Sequence, residues 1–313
     1  MYCHGFLVIK WGHGRYRCTQ CQKTFTPYQH RKIRAHRYFS IFRRWVTRGL
    51  TVELLCQLFP LAPRTLIRHF DVFLQSTPIV SPPKTKKTIC LKVDATHLGR
   101  WGCVMVYKAG KDILYWQFSQ REYYDGYVAG LRWLIKAGYS IAGVASDWHG
   151  SIVAAVQYLL PSIPHQRCLV HTQRLCQALT TARPKTEAGY MLLRIVRELN
   201  HLHNRYEVRI WKSWLLLWER RYGALIKERT HGTKEVGTRT WWYTHKNLRR
   251  AFRTLRLSQA HLFLYLDHQG LDKDTNGLEA EFAHLKGKLY VHRGLKRDRQ
   301  VAFMMWYLYF KSH

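Results

Sequence analysis

The order in which hydrophobic periodicity changes between residues 88 and 179 constrains this chain more than any other feature. TICLKVDAT is an apolar, β-leaning run that ends on Asp94. GCVMVYK and DILYWQFS follow, separated by the turn AGKD, and three such neighbours predict an antiparallel meander. YYDGYVAGLRWLIKAG has helical spacing, with Gly138 at its C-terminal end. SIAGVASDWHG is a second buried strand ending on Asp147, and SIVAAVQYLL is a helix. IPHQRC predicts a short strand, and LVHTQRLCQAL opens one more helix.

The resulting order, β-β-β-α-β-α-β-α, is that of an α/β fold, an RNase H-like core whose mixed sheet is flanked by helices. In such a sheet the first and fourth strands are neighbours, so Asp94 and Asp147 converge. Burying an unpaired carboxylate at the end of an apolar strand costs several kcal/mol. Two converging carboxylates also repel unless they are protonated or bridged by cations. A capping or salt-bridge role accounts for either residue alone but less easily for the pair. A third acid is available in DTNGLEAEFAHLKGKLYVHRGL, where Glu279 lies on a segment that Thr275 and Asn276 can start as a helix. Glu281 is two residues on and projects to a different side. Three carboxylates suit hard Mg²⁺ or Mn²⁺, and two ions roughly 4 Å apart stabilise both entering and leaving oxygens in phosphoryl transfer. The reaction that needs no Ser or Cys nucleophile is direct attack by water or a 3′-hydroxyl.

Charge points to the substrate. Fifty-one Lys and Arg stand against nineteen Asp and Glu, a net +32 spread over the whole chain. Such an excess implies a polyanion partner, nucleic acid first, because each phosphate contact releases counterions. A merely alkaline or ribosome-associated protein is the bland alternative. No uncharged apolar run reaches about 18 residues, and the N-terminal apolar stretch is too short for a secretory signal. The expectation is a soluble, cytoplasmic protein with no membrane partner. There the eight cysteines are thiols or metal ligands rather than disulfides.

Ahead of the core, residues 1–30 read as a small zinc-ribbon-like module. Cys18-x-x-Cys21 followed by Phe25 is the form of a ribbon's second knuckle, and Cys3 is placed for the first. The partner of Cys3 would fall before Met1, so either His4 or His13 substitutes or the Zn²⁺ ligand set is incomplete. A chance CxxC on a hairpin is the other reading. Residues 31–76 change to helical spacing in three blocks, punctuated by Gly49, Thr51 and Pro60 to Pro63. This suggests a helix-turn-helix with 64–75 as recognition helix and Arg64, Arg68 and His69 facing groove or phosphates. Any three-helix scaffold gives the same pattern. Residues 77–87 are a Pro- and Lys-rich linker, 88–182 the first part of the core, 183–265 a helical insertion, and 266–313 the last part of the core with Glu279. Trp211, Trp214 and Trp218 read as a core stripe of the insertion. Trp241 and Trp242 could instead stack on flipped or unpaired bases.

One stretch, HQRCLVH, holds Cys168 and His171 at the spacing of half a zinc site without a second half nearby. A structural role suits it better. A buried thiol packs as a small apolar group, the imidazole can hydrogen-bond across the wall of the acidic site, and hard Mg²⁺ prefers oxygen.

Taken together, VDAT at Asp94, SDWHG at Asp147, the Cys168-x-x-His171 element and TNGLEAEFAHLK at Glu279 resemble the DDE transposases of bacterial insertion sequences allied to the Mutator superfamily. The resemblance spans nearly the whole chain. It implies a triad of Asp94, Asp147 and Glu279 holding two divalent ions, with cleavage at the element end followed by attack of the freed 3′-hydroxyl on target DNA. It implies as partners double-stranded DNA carrying terminal inverted repeats, a target duplex, and a homodimer or higher synaptic oligomer, at the bacterial nucleoid. His292 and Arg293 follow the Glu279 helix, where they either hold a flanking phosphate or belong to the general positive surface. Two rivals share the core: a nuclease or resolvase that cuts without joining, and a domesticated DNA-binding regulator. Such a regulator usually loses one triad acid, and here all three are present.

Overall fold

The computed structural model describes residues 7–82, 87–232 and 240–312, and only the backbone for 28–35. In chain order its strands and helices begin with β1 (Val8–Lys10), β2 (Tyr16–Cys18), β3 (Thr24–Phe25), α1 (Tyr28–Arg48), α2 (Val52–Leu58) and α3 (Pro63–Leu74). There follow β4 (Lys87–His97), β5 (Cys103–Ala109), β6 (Asp112–Ser119), α4 (Tyr124–Lys136), β7 (Tyr139–Ser146), α5 (Gly150–Leu159), β8 (His165–Arg167) and α6 (Leu169–Thr180). The chain ends with α7 (Glu187–Glu198), α8 (Arg205–Tyr222), β9 (Arg229–His231), β10 (Trp241–Tyr243), α9 (Lys246–Leu262), α10 (Asn276–Val291) and α11 (Arg297–Ser312). It divides into two compact units, residues 1–79 with 284–313, and residues 80–283.

In the first unit β1, β2 and β3 form a small antiparallel sheet. The chain leaves β2 through a tight turn in which the Gln22 N–H donates to the Cys18 carbonyl at 3.0 Å and Gln22 takes φ 58°. That turn carries buried Cys18 and half-buried Cys21. Helix α1 stops at Gly49, which adopts φ 66° and donates to the Trp45 carbonyl. A side chain there would be strained in φ and would also meet Lys288 Cδ at 2.7 Å. Thr51 caps α2 by accepting from Leu54 N–H, and Pro63 opens α3, where its missing N–H costs nothing.

The sequence pattern placed 266–313 together in the core, but residues 284–313 cluster with the N-terminal helices. The reason is aromatic packing. Phe39 and Phe42 of α1 lie 5.6 Å from Trp306, and Phe42 lies 4.9 Å from Phe73, in offset and edge-on geometries that aromatic quadrupoles favour. Trp306 also donates its indole N–H to the Phe73 carbonyl.

The second unit is mixed α/β. Its five-stranded sheet has the order β6-β5-β4-β7-β8, with β4 parallel to β7 and β7 parallel to β8, and the other pairs antiparallel. Alternation along β4 turns Leu91, Val93 and Ala95 toward a core shared with Met105, Tyr107, Tyr127, Leu131 and Val156. Helix α4 approaches so closely that a Cβ on Gly130 would fall 2.2 Å from Tyr107 Oη. Lys92, Asp94 and Thr96 alternate onto the opposite face.

Helices α6 to α9 share a second core centred on Trp211, Leu215, Trp218, Phe252 and Leu255. Trp211 and Trp218 each satisfy their indole N–H on a carbonyl of α7, Ile195 and Ala188 respectively. Trp214 does not join them and is 44% exposed. The buried stripe runs Trp211, Leu215, Trp218, at i, i+4 and i+7, which leaves position i+3 at its edge. No helix among the described residues is long and apolar enough to cross a membrane.

Candidate functional site

The last register pair of the parallel strands β4 and β7 is Val93 with Ser146. Asp94 comes next within β4, which continues to His97 rather than ending at the acid, and Asp147 comes just after the end of β7, close enough for its charge to act on Asp94. Asp94 is 5% exposed, and its Oδ1 accepts from the Ala95 N–H at 2.8 Å. Burial, and then the charge of Asp147, push its pKa up to about 7, against the opposing pull of His171, the Ala95 N–H and Thr275. Asp147 accepts from the His149 N–H at 3.0 Å.

Glu279 sits in the first turn of α10. Both its oxygens accept from Arg174 Nη1, at 2.6 and 2.7 Å, and Oε1 lies 3.3 Å from His171 Nε2. The same imidazole has its Nδ1 3.3 Å from Cys168 Sγ and 3.4 Å from Thr275 Oγ1. Thr275 is fully buried, and both its N–H and its hydroxyl reach Cys168 Sγ, at 3.4 and 3.6 Å. Cys168 also donates its backbone N–H to the Ser146 carbonyl at the end of β7. The Cys-x-x-His element therefore ties three pieces together: the strand that ends at Asp147, helix α6, and the start of the helix that carries Glu279. Glu281, one face away, lies 3.9 Å from Lys108 of β5.

Several neighbours were invisible from spacing alone. Glu122 is almost buried and receives the Tyr127 hydroxyl at 2.7 Å, with His97 and His149 at 3.2 and 3.0 Å. The arrangements Asp94-x-x-His97 and Asp147-x-His149 were the available signal. Arg174 carries none, since its partner is 105 residues away. Trp148, just after Asp147, holds φ 73°, a strained value for a bulky residue. Its ring is fixed between His165 and His261, at 4.7 and 4.5 Å. Burial, and then His261, lower the pKa of His165 to about 4.

The other sequence candidates lie in the first unit. Arg64 and Arg68 are exposed on α3, while half-buried His69 stacks on Tyr38 at 3.6 Å. His292 is 9% exposed, between Trp45 and Phe303, and burial lowers its pKa to about 4. Arg293 is exposed and rests against Tyr290. Of the zinc candidates, Cys3 and His4 lie outside the described residues, and His13 is exposed on the β1–β2 turn. Among the described residues no three His, Cys, Asp or Glu side chains close into a metal-binding group.

Residues 152–284, less than half of the chain, match the family model described as Transposase IS66 family. That match covers Cys168, His171, Thr275 and Glu279 and begins just beyond Asp147, and it supports an insertion-sequence transposase. IS66 is a different family from the Mutator superfamily, so the Mutator affinity rests on the sequence motifs alone. No curated protein matches the chain.

Proposed function

We propose that this chain is a DNA transposase that cleaves element ends and joins the freed 3′-hydroxyl to target DNA by DDE chemistry. Asp94, Asp147 and Glu279 are its catalytic acids on an RNase H-like core. The observation that carries the reading is that Asp94 and Asp147 directly follow Val93 and Ser146, the last paired residues of the parallel strands β4 and β7. Burial, and then the neighbouring charge of Asp147, raise the pKa of Asp94 to about 7.

The donor set suits a hard divalent cation. Two carboxylates forced together in a buried position gain from a shared positive charge, and carboxylate oxygen is the ligand Mg²⁺ prefers. Asp94 and Asp147 would hold it, and Glu279 would join once Arg174 releases an oxygen. Mg²⁺ bound there supplies charge neutralisation of the scissile phosphate and lowers the pKa of the attacking hydroxyl. The chain's own residues do the rest. Thr275 and Cys168 fix the start of α10, His171 holds the Glu279 carboxylate, and the basic surface binds the duplex. The helix-turn-helix reading of α2 and α3, with Arg64 and Arg68 exposed, gives the end-recognition module. Zinc at Cys18 and Cys21 would stiffen the small sheet before it.

The test is incubation with the element's terminal repeats, a target plasmid and Mg²⁺. Wild-type protein should nick the ends and join them covalently to the plasmid. Asp147→Asn should bind the ends as wild type does and lose cleavage by at least a hundredfold, about 2.7 kcal/mol of barrier. Cleavage without joining would move the protein to the nucleases. Cleavage retained by Asp147→Asn would overturn the site.

A further inference from the structure

Beside Asp147 lies a second feature that the triad does not use. Arg167 ends β8 opposite Ser146 of β7, so it is a strand's width from the acid, and it feels the charge of Asp147. Its guanidinium is partly buried yet has no carboxylate partner among the described residues. Its Nε donates to Thr172 Oγ1 at 3.1 Å and its Nη1 to Ser258 Oγ at 2.7 Å. The group lies 5.9 Å above the strained Trp148 ring. A guanidinium withdrawn from water and held only by hydroxyls lacks a counter-ion.

The cleft it enters has a volume of about 320 Å³ and is lined by Arg167, Arg250, Arg253, Thr254, Leu257 and Ser258. Arg250 and Arg253 are three apart on α9, hence on one face, and both are exposed. Other arginines of that helix are engaged elsewhere. Arg249 rests 4.0 Å over the Tyr243 ring and donates to the Ile226 carbonyl, and Arg256 pairs with Glu219. Among the described residues Arg250 and Arg253 form no ion pair, and the cleft that the three guanidiniums line holds no acid.

We propose that Arg167, Arg250 and Arg253 form a binding site for a backbone phosphate of the DNA strand that passes Asp147. The planar guanidinium fork matches phosphate oxygens two at a time, and Thr254 and Ser258 add hydroxyls. The site rests on the DNA-processing reading of Asp94 and Asp147, and it adds the element that sets which strand segment is held beside them. Because Arg167 is itself fixed by Ser258 of α9, the helix and the sheet edge are positioned as one clamp.

The test is fluorescence anisotropy with a short labelled duplex of arbitrary sequence over a KCl series. The variant Arg250→Gln/Arg253→Gln changes exposed residues and leaves the core untouched. Arg197→Gln/Arg220→Gln, exposed on α7 and α8, removes the same charge elsewhere. The plot of log affinity against log salt should lose up to about 0.9 of a unit of slope in the first variant, the value for one phosphate contact, and little in the second. Equal slopes in all three proteins, or equal losses in both variants, would overturn the site. Calorimetry with inorganic phosphate alone separates a free-anion cleft: tight binding there with an unchanged DNA slope also overturns the proposal. If the slopes behave as expected but wild-type protein cleaves no terminal repeat, the phosphate site stands and the transposase reading fails.

Discussion

Asp94, Cys168 and His292 show how differently single residues reveal themselves. Asp94 was legible because a carboxylate at the end of TICLKV has few innocent explanations. Cys168 was legible as a packing thiol, yet its contact with Thr275, 107 residues away, has no trace in local spacing. The burial of His292 against Trp45 has no trace in local spacing, because a basic pair after a helix looks the same whatever it faces. Its burial has a pH consequence. A histidine held neutral near pKa 4 contributes stability that is full above the unfolded value near 6.5 and is lost as pH falls toward 4. His292→Phe keeps the ring stack with Trp45 and Phe303 and removes the buried Nε2, which has no hydrogen-bond partner among the described residues. Denaturant unfolding should find this variant near wild type at pH 7.5 and more stable than wild type at pH 5, by on the order of 1 kcal/mol. An unchanged difference across that range would mean that His292 does not carry the proton.

At the scale of elements, the strands and helices from 88 to 179 were readable because apolar runs and turn residues alternate cleanly there. Strand order followed from that alternation, and the structure has β4 between β5 and β7 as the meander-then-crossover pattern requires. Less was readable in α8, where three tryptophans at helical spacing look alike until the neighbours are known. Only Trp211 and Trp218 face α7 and α9, and Trp211 is fully enclosed. Trp211→Ala should cost about 3–5 kcal/mol of stability through the cavity it leaves. Trp214→Ala should cost under about 1 kcal/mol, since an exposed edge residue loses little burial. Comparable melting losses for the two would contradict the assignment of the stripe. Sequence does not say which core an aromatic face enters, and the aromatic face of α11 packs with α1 and α3.

For the whole molecule, the charge of +32 and the acidic pair both fit the proposed reading of a polyanion held by many cations and processed where carboxylates are concentrated. Sequence exposed both halves of that reading. It did not expose Arg174 on Glu279, Glu122 between His97 and His149, or Arg167 beside Asp147, because each is a contact made only by folding. The central claim is that Asp94 and Asp147 together hold a divalent cation. Electron paramagnetic resonance of Mn²⁺ titrated into the DNA-bound protein tests it directly. Wild-type protein should remove free Mn²⁺ signal at neutral to slightly alkaline pH, and Asp94→Asn/Asp147→Asn should abolish that binding while still holding the duplex. Equal Mn²⁺ uptake by the double variant, or none by wild type, would contradict the claim.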